Sequence, residues 1–143
     1  ATVSNAPADK DIIALNNLGG TVTFASPVTN PDIGIVSLGQ PGLTTTWNFD
    51  KDFAILSQGR GYWGGTATSM SHTGVGQLKS NEGHGVIRFT GTFSSLSWTI
   101  TNGENWAGFT LGLVDNIIPL PSAAGMSVAA LGLLASRRRR HSA

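Results

Sequence analysis

The chain has 143 residues, with nine Lys and Arg against eight Asp and Glu, 19 glycines and no cysteine. That length suits one domain with a single core and is too short for two. Without cysteine there is no disulfide and no thiolate zinc site, and the scattered Lys10, Lys51, Arg60, Lys79 and Arg88 make no phosphate-binding surface, which argues against nucleic acid as partner. The remaining cations are Arg137, Arg138, Arg139 and Arg140, so residues 1–136 carry five cations against eight acids and are mildly acidic. Only 12% of residues are charged, while Gly, Ser, Thr and Asn abound, as suits an extracellular β-protein.

Short strand-like runs follow one another along residues 1–116, separated by turn residues. Residues 21–25 follow Gly19-Gly20, residues 33–38 follow Asn30-Pro31-Asp32, and residues 43–49 follow Gln40-Pro41-Gly42. Residues 52–56 and 61–68 read as less regular strands, with Gly59, Gly61, Gly64 and Gly65 marking a tight turn or bulge, and residues 73–79 as another strand. Beyond the turn at Asn81-Glu82-Gly83, residues 86–90, 92–101 and 106–114 form the strongest block. Leu96, Trp98 and Ile100 alternate with Ser97 and Thr99, which places the apolar three on one buried face. Ile87 and Phe89 precede this pattern and Phe109, Leu111 and Leu113 repeat it; Gly91 and a parity slip between Phe93 and Leu96 suggest a bulge joining two strands. Trp47 and Trp98 belong to the core. About eight short strands with Gly-, Pro- and Asn-rich turns predict an all-β fold, an antiparallel β-sandwich or jelly roll.

Sites of chemistry are sparse. There is no Gly-x-Ser-x-Gly elbow, phosphate loop or His-Glu-x-x-His. Asp50 and Asp52, with Asp32, have the makings of a glycosidase pair or an oxygen-lined Ca2+ site, although Asp at that spacing more often caps a solvated turn. His84, between Gly83 and Gly85, reads as a loop histidine or a hydrogen-bonding residue at the edge of the core. Tyr62, Trp63 and Trp106 lie beside Gly and Asn in loop-like contexts, where they either close the end of the sandwich or stack against pyranose rings. These three are the candidate glycan-binding residues. No catalytic residue, metal ligand or cofactor is assigned, and the chain reads as a non-enzyme.

The last 26 residues carry a different signal. Ile118-Pro119-Leu120-Pro121-Ser122 opens onto an uncharged run of Ala, Leu, Met, Val and other small residues, 123–135, which stops at the four arginines. The prolines can start a helix there without breaking it. A helix over residues 122–136 is about 22 Å long, short of the ~30 Å hydrocarbon core, and spans with help from Ile117, Ile118, Leu120 and snorkelling arginine stems. The arginines stay in the cytoplasm, leaving the body of the protein outside. A plain single-pass anchor accounts for the apolar run and the arginines but leaves Pro-Leu-Pro unexplained. A buried C-terminal helix would not normally end in four arginines, and a nucleic-acid tail would follow a solvated linker.

This three-part pattern resembles the PEP-CTERM class of exported proteins of Gram-negative bacteria, in its Val-Pro-Leu-Pro-Ala variant, with Ile118 for Val and Ser122 for Ala. The resemblance implies recognition by an exosortase, a membrane cysteine transpeptidase that cleaves near the proline motif and passes the body to an acceptor at the cell surface. Arg137–Arg140 would act in retention, and an export signal is expected upstream of Ala1. Residues 45–109, with Trp47-Asn48-Phe49-Asp50, Gly61-Tyr62-Trp63-Gly64, Gly83-His84-Gly85-Val86-Ile87-Arg88-Phe89, Phe93-Ser94-Ser95-Leu96-Ser97-Trp98 and Glu104-Asn105-Trp106-Ala107-Gly108-Phe109-Thr110, resemble the globular domain of many such proteins. That implies a secreted β-sandwich without catalytic residues.

The sequence therefore predicts a β-sandwich domain over 1–116 and a sorting signal over 117–143. The expected protein is displayed at the cell surface or in the extracellular matrix or biofilm, with a structural or adhesive role. Its expected partners are the exosortase, the membrane before processing, and extracellular polysaccharide. A carbohydrate-binding module is the alternative, favoured if Tyr62, Trp63 and Trp106 share one exposed face. A surface hydrolase is a third reading and requires two carboxylates in a cleft.

Overall fold

The computed structural model describes residues 12–15 and 19–113. The sorting motif Ile118–Ser122, the apolar run and Arg137–Arg140 lie outside the described residues. Among the described residues there are ten strands and no helix: β1 (Ile13–Leu15), β2 (Gly20–Thr29), β3 (Asp32–Leu38), β4 (Thr45–Phe49), β5 (Ala54–Gln58), β6 (Met70–Gly74), β7 (Gln77–Ser80), β8 (Gly83–Arg88), β9 (Thr92–Thr101) and β10 (Ala107–Gly112). They form two five-stranded antiparallel sheets, β1-β10-β3-β8-β5 and β2-β9-β4-β7-β6.

One apolar cluster joins the sheets into a sandwich. Ile33, Ile35, Leu38, Ile87 and Phe109 come from the first sheet and Trp47, Phe49, Leu78, Leu96 and Trp98 from the second, with Phe53 and Phe89 packed between. Trp47 and Trp98 stack at 6.1 Å, and Phe109 meets Trp98 edge-on at 5.3 Å. Strand alternation produces this: residues at every second position point inward and bury about 150–250 Å2 per aromatic. Two crossovers between the sheets run side by side. Asn30 N–H donates to the Gly91 carbonyl at 2.8 Å, and Gly91 N–H donates to Asn30 Oδ1 at 2.9 Å. Gly91 has φ +134°, and an added Cβ there would meet the Phe93 ring at 3.0 Å.

Several expected elements need correction. Residues 61–68 are not a strand but a loop, because the glycines there close a tight turn bridged between Gly61 and Gly64. Residues 73–79 are not one strand: β6 and β7 form a hairpin that reverses at Val75-Gly76, where Gly76 has φ +67°. By contrast, β9 is the strand expected over residues 92–101, and the slip between Phe93 and Leu96 falls where its pairing with β2 shifts between Thr23 and Val28. Leu113 lies past the end of β10 and is exposed, so it does not continue the buried face. β1, a short edge strand pairing with β10, had no counterpart in the sequence reading.

Candidate functional site

Alternation along β8 turns Ile87 and Phe89 into the core, and so turns His84 and Arg88 to the outer face of the first sheet. Arg88 pairs there with Asp32 of β3 through two hydrogen bonds of 2.7 Å. His84 is nevertheless completely buried, because the loop of residues 59–65 folds back over it. Gly59 N–H donates to the His84 carbonyl at 3.1 Å, and a Cβ on Gly61 would lie 2.2 Å from Cγ of the imidazole. Only a glycine lets the backbone approach a ring this closely. The Gly61–Gly64 turn, closed by a 2.7 Å bond from Gly61 N–H to the Gly64 carbonyl, then presents Tyr62 and Trp63 at its tip.

The structure brings all three candidate aromatics together. Tyr62 meets Trp63 edge-on with ring centres 5.1 Å apart, and Trp63 meets Trp106 at 5.1 Å, tilted by 57°. Trp106, just before β10, rests above Gly108, where an added Cβ would come within 3.0 Å of its ring. Tyr62 is 68% and Trp63 44% exposed, while Trp106 is half-buried. The rings thus form a continuous aromatic patch outside the apolar cluster that holds Trp47 and Trp98. Beside Trp63 runs a groove of about 410 Å3, lined by Pro41, Gly64, Gly65, Thr66, Thr68, Ser69, Asn81 and Glu82.

Beneath this patch lies a polar network that the sequence did not reveal. Pairing between β3 and β8 slips between Ile35 and Leu38, producing a bulge opposite His84, and Ser37 within it has φ +52°. The bulge aims Ser37 N–H at His84 Nδ1, at 3.2 Å, and Ser37 Oγ–H at Glu82 Oε1, at 2.6 Å. Because Nδ1 accepts, the ring proton sits on Nε2, which donates to the same Glu82 oxygen at 3.2 Å. Burial pushes the His84 pKa below its ordinary value, against the pull of Glu82, consistent with a neutral ring. Glu104, in the turn before Trp106, is also buried and accepts the Gly39 N–H. Burial lifts its carboxyl to about 7, opposed by the Gly39 bond and reinforced by the charge of Glu82.

His84 therefore lies within a strand, fully buried and hydrogen-bonded, which fits the expected hydrogen-bonding residue at the edge of the core and not the loop that its flanking glycines suggested. The aspartates singled out from the sequence each have partners of their own. Asp32 is held by Arg88, Asp50 by Lys51 and the Ser97 N–H, and Asp52 by His72 and the Gly76 N–H. Among the described residues, no three His, Asp or Glu side chains are grouped to hold a metal ion. The signals for the missed residues were weak: Ser37 interrupts an apolar strand and Glu82 opens a turn, and neither pattern is distinctive. No family model, curated protein or solved structure matches the chain.

Proposed function

We propose that this is an exported glycan-binding β-sandwich protein, acting as an adhesive or structural component of the cell surface or extracellular matrix. The observation that carries the reading is the contiguity of Tyr62, Trp63 and Trp106 on the outer face of one sheet. The apolar face of a pyranose stacks on such rings, and the hydroxyl, amide and carboxylate groups of the adjoining groove supply hydrogen-bond partners. Binding of this kind requires no catalytic step, and none is assigned.

The route to the surface rests on the C-terminal residues. Ile118–Ser122 would be recognised by an exosortase, the apolar helix would hold the precursor in the membrane, and Arg137–Arg140 would keep its end in the cytoplasm. Two experiments test the two halves. The full chain should be retarded in native gels containing a polysaccharide, and Trp63→Ala should abolish the retardation; unchanged migration of the wild type in every polymer removes the glycan reading. The surface form from an exosortase-bearing host should have an intact mass that ends near Pro121. A mass that includes the arginines means a simple anchor.

A further inference from the structure

The groove beside Trp63 carries information about which glycans fit. Its polar lining consists of Thr66, Thr68, Ser69, Asn81 and Glu82; among the described residues no Lys or Arg lines it, and Glu82 supplies the one charged group. Both hydrogen bonds that Glu82 receives, from Ser37 and His84, end on Oε1. Oε2 receives neither of them, and Glu82 is one of the residues that line the groove. The carboxylate is also held at a conformational cost, since Glu82 has φ +54° and Ser37 φ +52°. Left-handed backbone at two non-glycine residues in one network persists where the surroundings over-determine it, as they do in ligand clamps.

Resting on the reading of the aromatic patch as a glycan platform, we infer that Glu82 determines its specificity, accepting hydroxyl protons from a neutral sugar stacked on Trp63 and turning away polyuronates and sulfated glycans. A carboxylate is acceptor-only, and its hydrogen bonds are roughly twice as strong as neutral ones. The imidazole behind it donates through Nε2 while Nδ1 accepts, so it brings no positive charge to offset the acid. An anionic sugar in the same place would meet a like charge, which is discrimination by repulsion.

The test uses the full chain in affinity electrophoresis against galactomannan, xyloglucan, dextran, an O-methylated galactomannan, alginate and carrageenan. We expect retardation by at least one of the neutral polymers and none by alginate or carrageenan. Glu82→Gln should weaken neutral binding by about tenfold or more and admit the acidic polymers. Methylation keeps the ring face for Trp63 but removes the hydroxyl protons, so the wild type should lose a similar factor on the methylated polymer; this arm does not depend on any variant folding. Equal binding of acidic and neutral polymers, or of methylated and unmethylated galactomannan, overturns the role of Glu82. If Trp63→Ala abolishes binding while Glu82→Gln leaves it intact, the platform stands and this inference falls. A wild type that binds no polymer overturns the platform itself.

Discussion

The molecule has two aromatic clusters, one between its sheets and one outside them. Ring spacings are similar, 6.1 Å for Trp47–Trp98 inside and 5.1 Å for Trp63–Trp106 outside. Their surroundings are opposite: Trp47 is 1% exposed, and Trp63 is 44% exposed. The inner rings stand on strands at alternating positions and pack within the apolar cluster. The outer rings stand on a glycine turn and a strand entrance, supported by a buried His84–Glu82–Ser37 network. Contact between rings is therefore common to both, and burial decides whether a ring contributes chiefly to folding or remains available to a ligand.

The largest effect should come from the inner cluster. Trp98→Ala should cost about 3–5 kcal/mol in urea denaturation, because it removes a large volume that neighbouring strands cannot refill. Trp98→Phe should cost much less. The indole nitrogens of Trp47 and Trp98 have no hydrogen-bond partner among the described residues, so phenylalanine deletes an unsatisfied donor along with part of the volume. If Trp63→Ala lowers stability as much as Trp98→Ala, the contrast between the clusters is wrong.

An intermediate effect is expected at the glycine that joins the outer cluster to its support. Gly61→Val places its Cβ within 2.2 Å of the His84 ring, so the turn must lift. A loss of about 1–3 kcal/mol should accompany loss of polysaccharide retardation in native gels. Retained binding in this variant would mean that Tyr62 and Trp63 need no support from the loop.

Period-2 alternation made the inner cluster legible from sequence, since Leu96, Trp98, Ile87 and Phe89 announce their faces by spacing alone. The outer cluster was legible only as residue types in loop-like contexts, and its contiguity depends on long-range folding of residues 59–65 onto β8. Hydrogen bonding by His84 at the edge of the core was one of the readings the sequence offered, but its complete burial was not legible. Parity sends it outward, and its cover comes from a segment about twenty residues earlier in the chain. The β6–β7 hairpin was missed for a local reason: Val75, 88% exposed at the reversal, is β-branched and reads as a strand residue despite Gly74 and Gly76 on either side. The β3 bulge was equally hidden, because a serine within an apolar strand gives no sign of a left-handed backbone.

An effect of similar size should separate the support network from the apolar core through pH. Glu104 titrates near 7 in the folded chain and near its ordinary 4.5 when unfolded, so the fold retains the proton longer. The stability linked to that proton is complete below 4.5 and is lost as pH rises through 7, up to on the order of 2–3 kcal/mol. His84 acts in the opposite sense: its pKa is lowered from 6.5, so its contribution is lost as pH falls through and below that value. Glu104→Gln keeps an acceptor for the Gly39 N–H and cannot ionise. Its stability relative to the wild type should therefore rise between pH 5 and pH 8 in parallel urea titrations. A constant difference over that range would show that Glu104 ionises without opposition from the fold.

The smallest change in stability should occur where binding changes strongly. Tyr62 is the most exposed ring of the outer cluster at 68%, and it meets Trp63 edge-on. Tyr62→Ala removes little buried area and should shift the unfolding free energy by no more than about 0.5 kcal/mol. A sugar bound on the patch would nevertheless lose one of its aromatic contacts, lowering affinity by about tenfold for a loss near 1.4 kcal/mol. Measured together, the two numbers separate a ring kept for a ligand from one kept for packing. A drop of several kcal/mol in stability with unchanged polysaccharide binding would make the outer cluster a cap on the sandwich and leave the protein's ligand to be sought on another face.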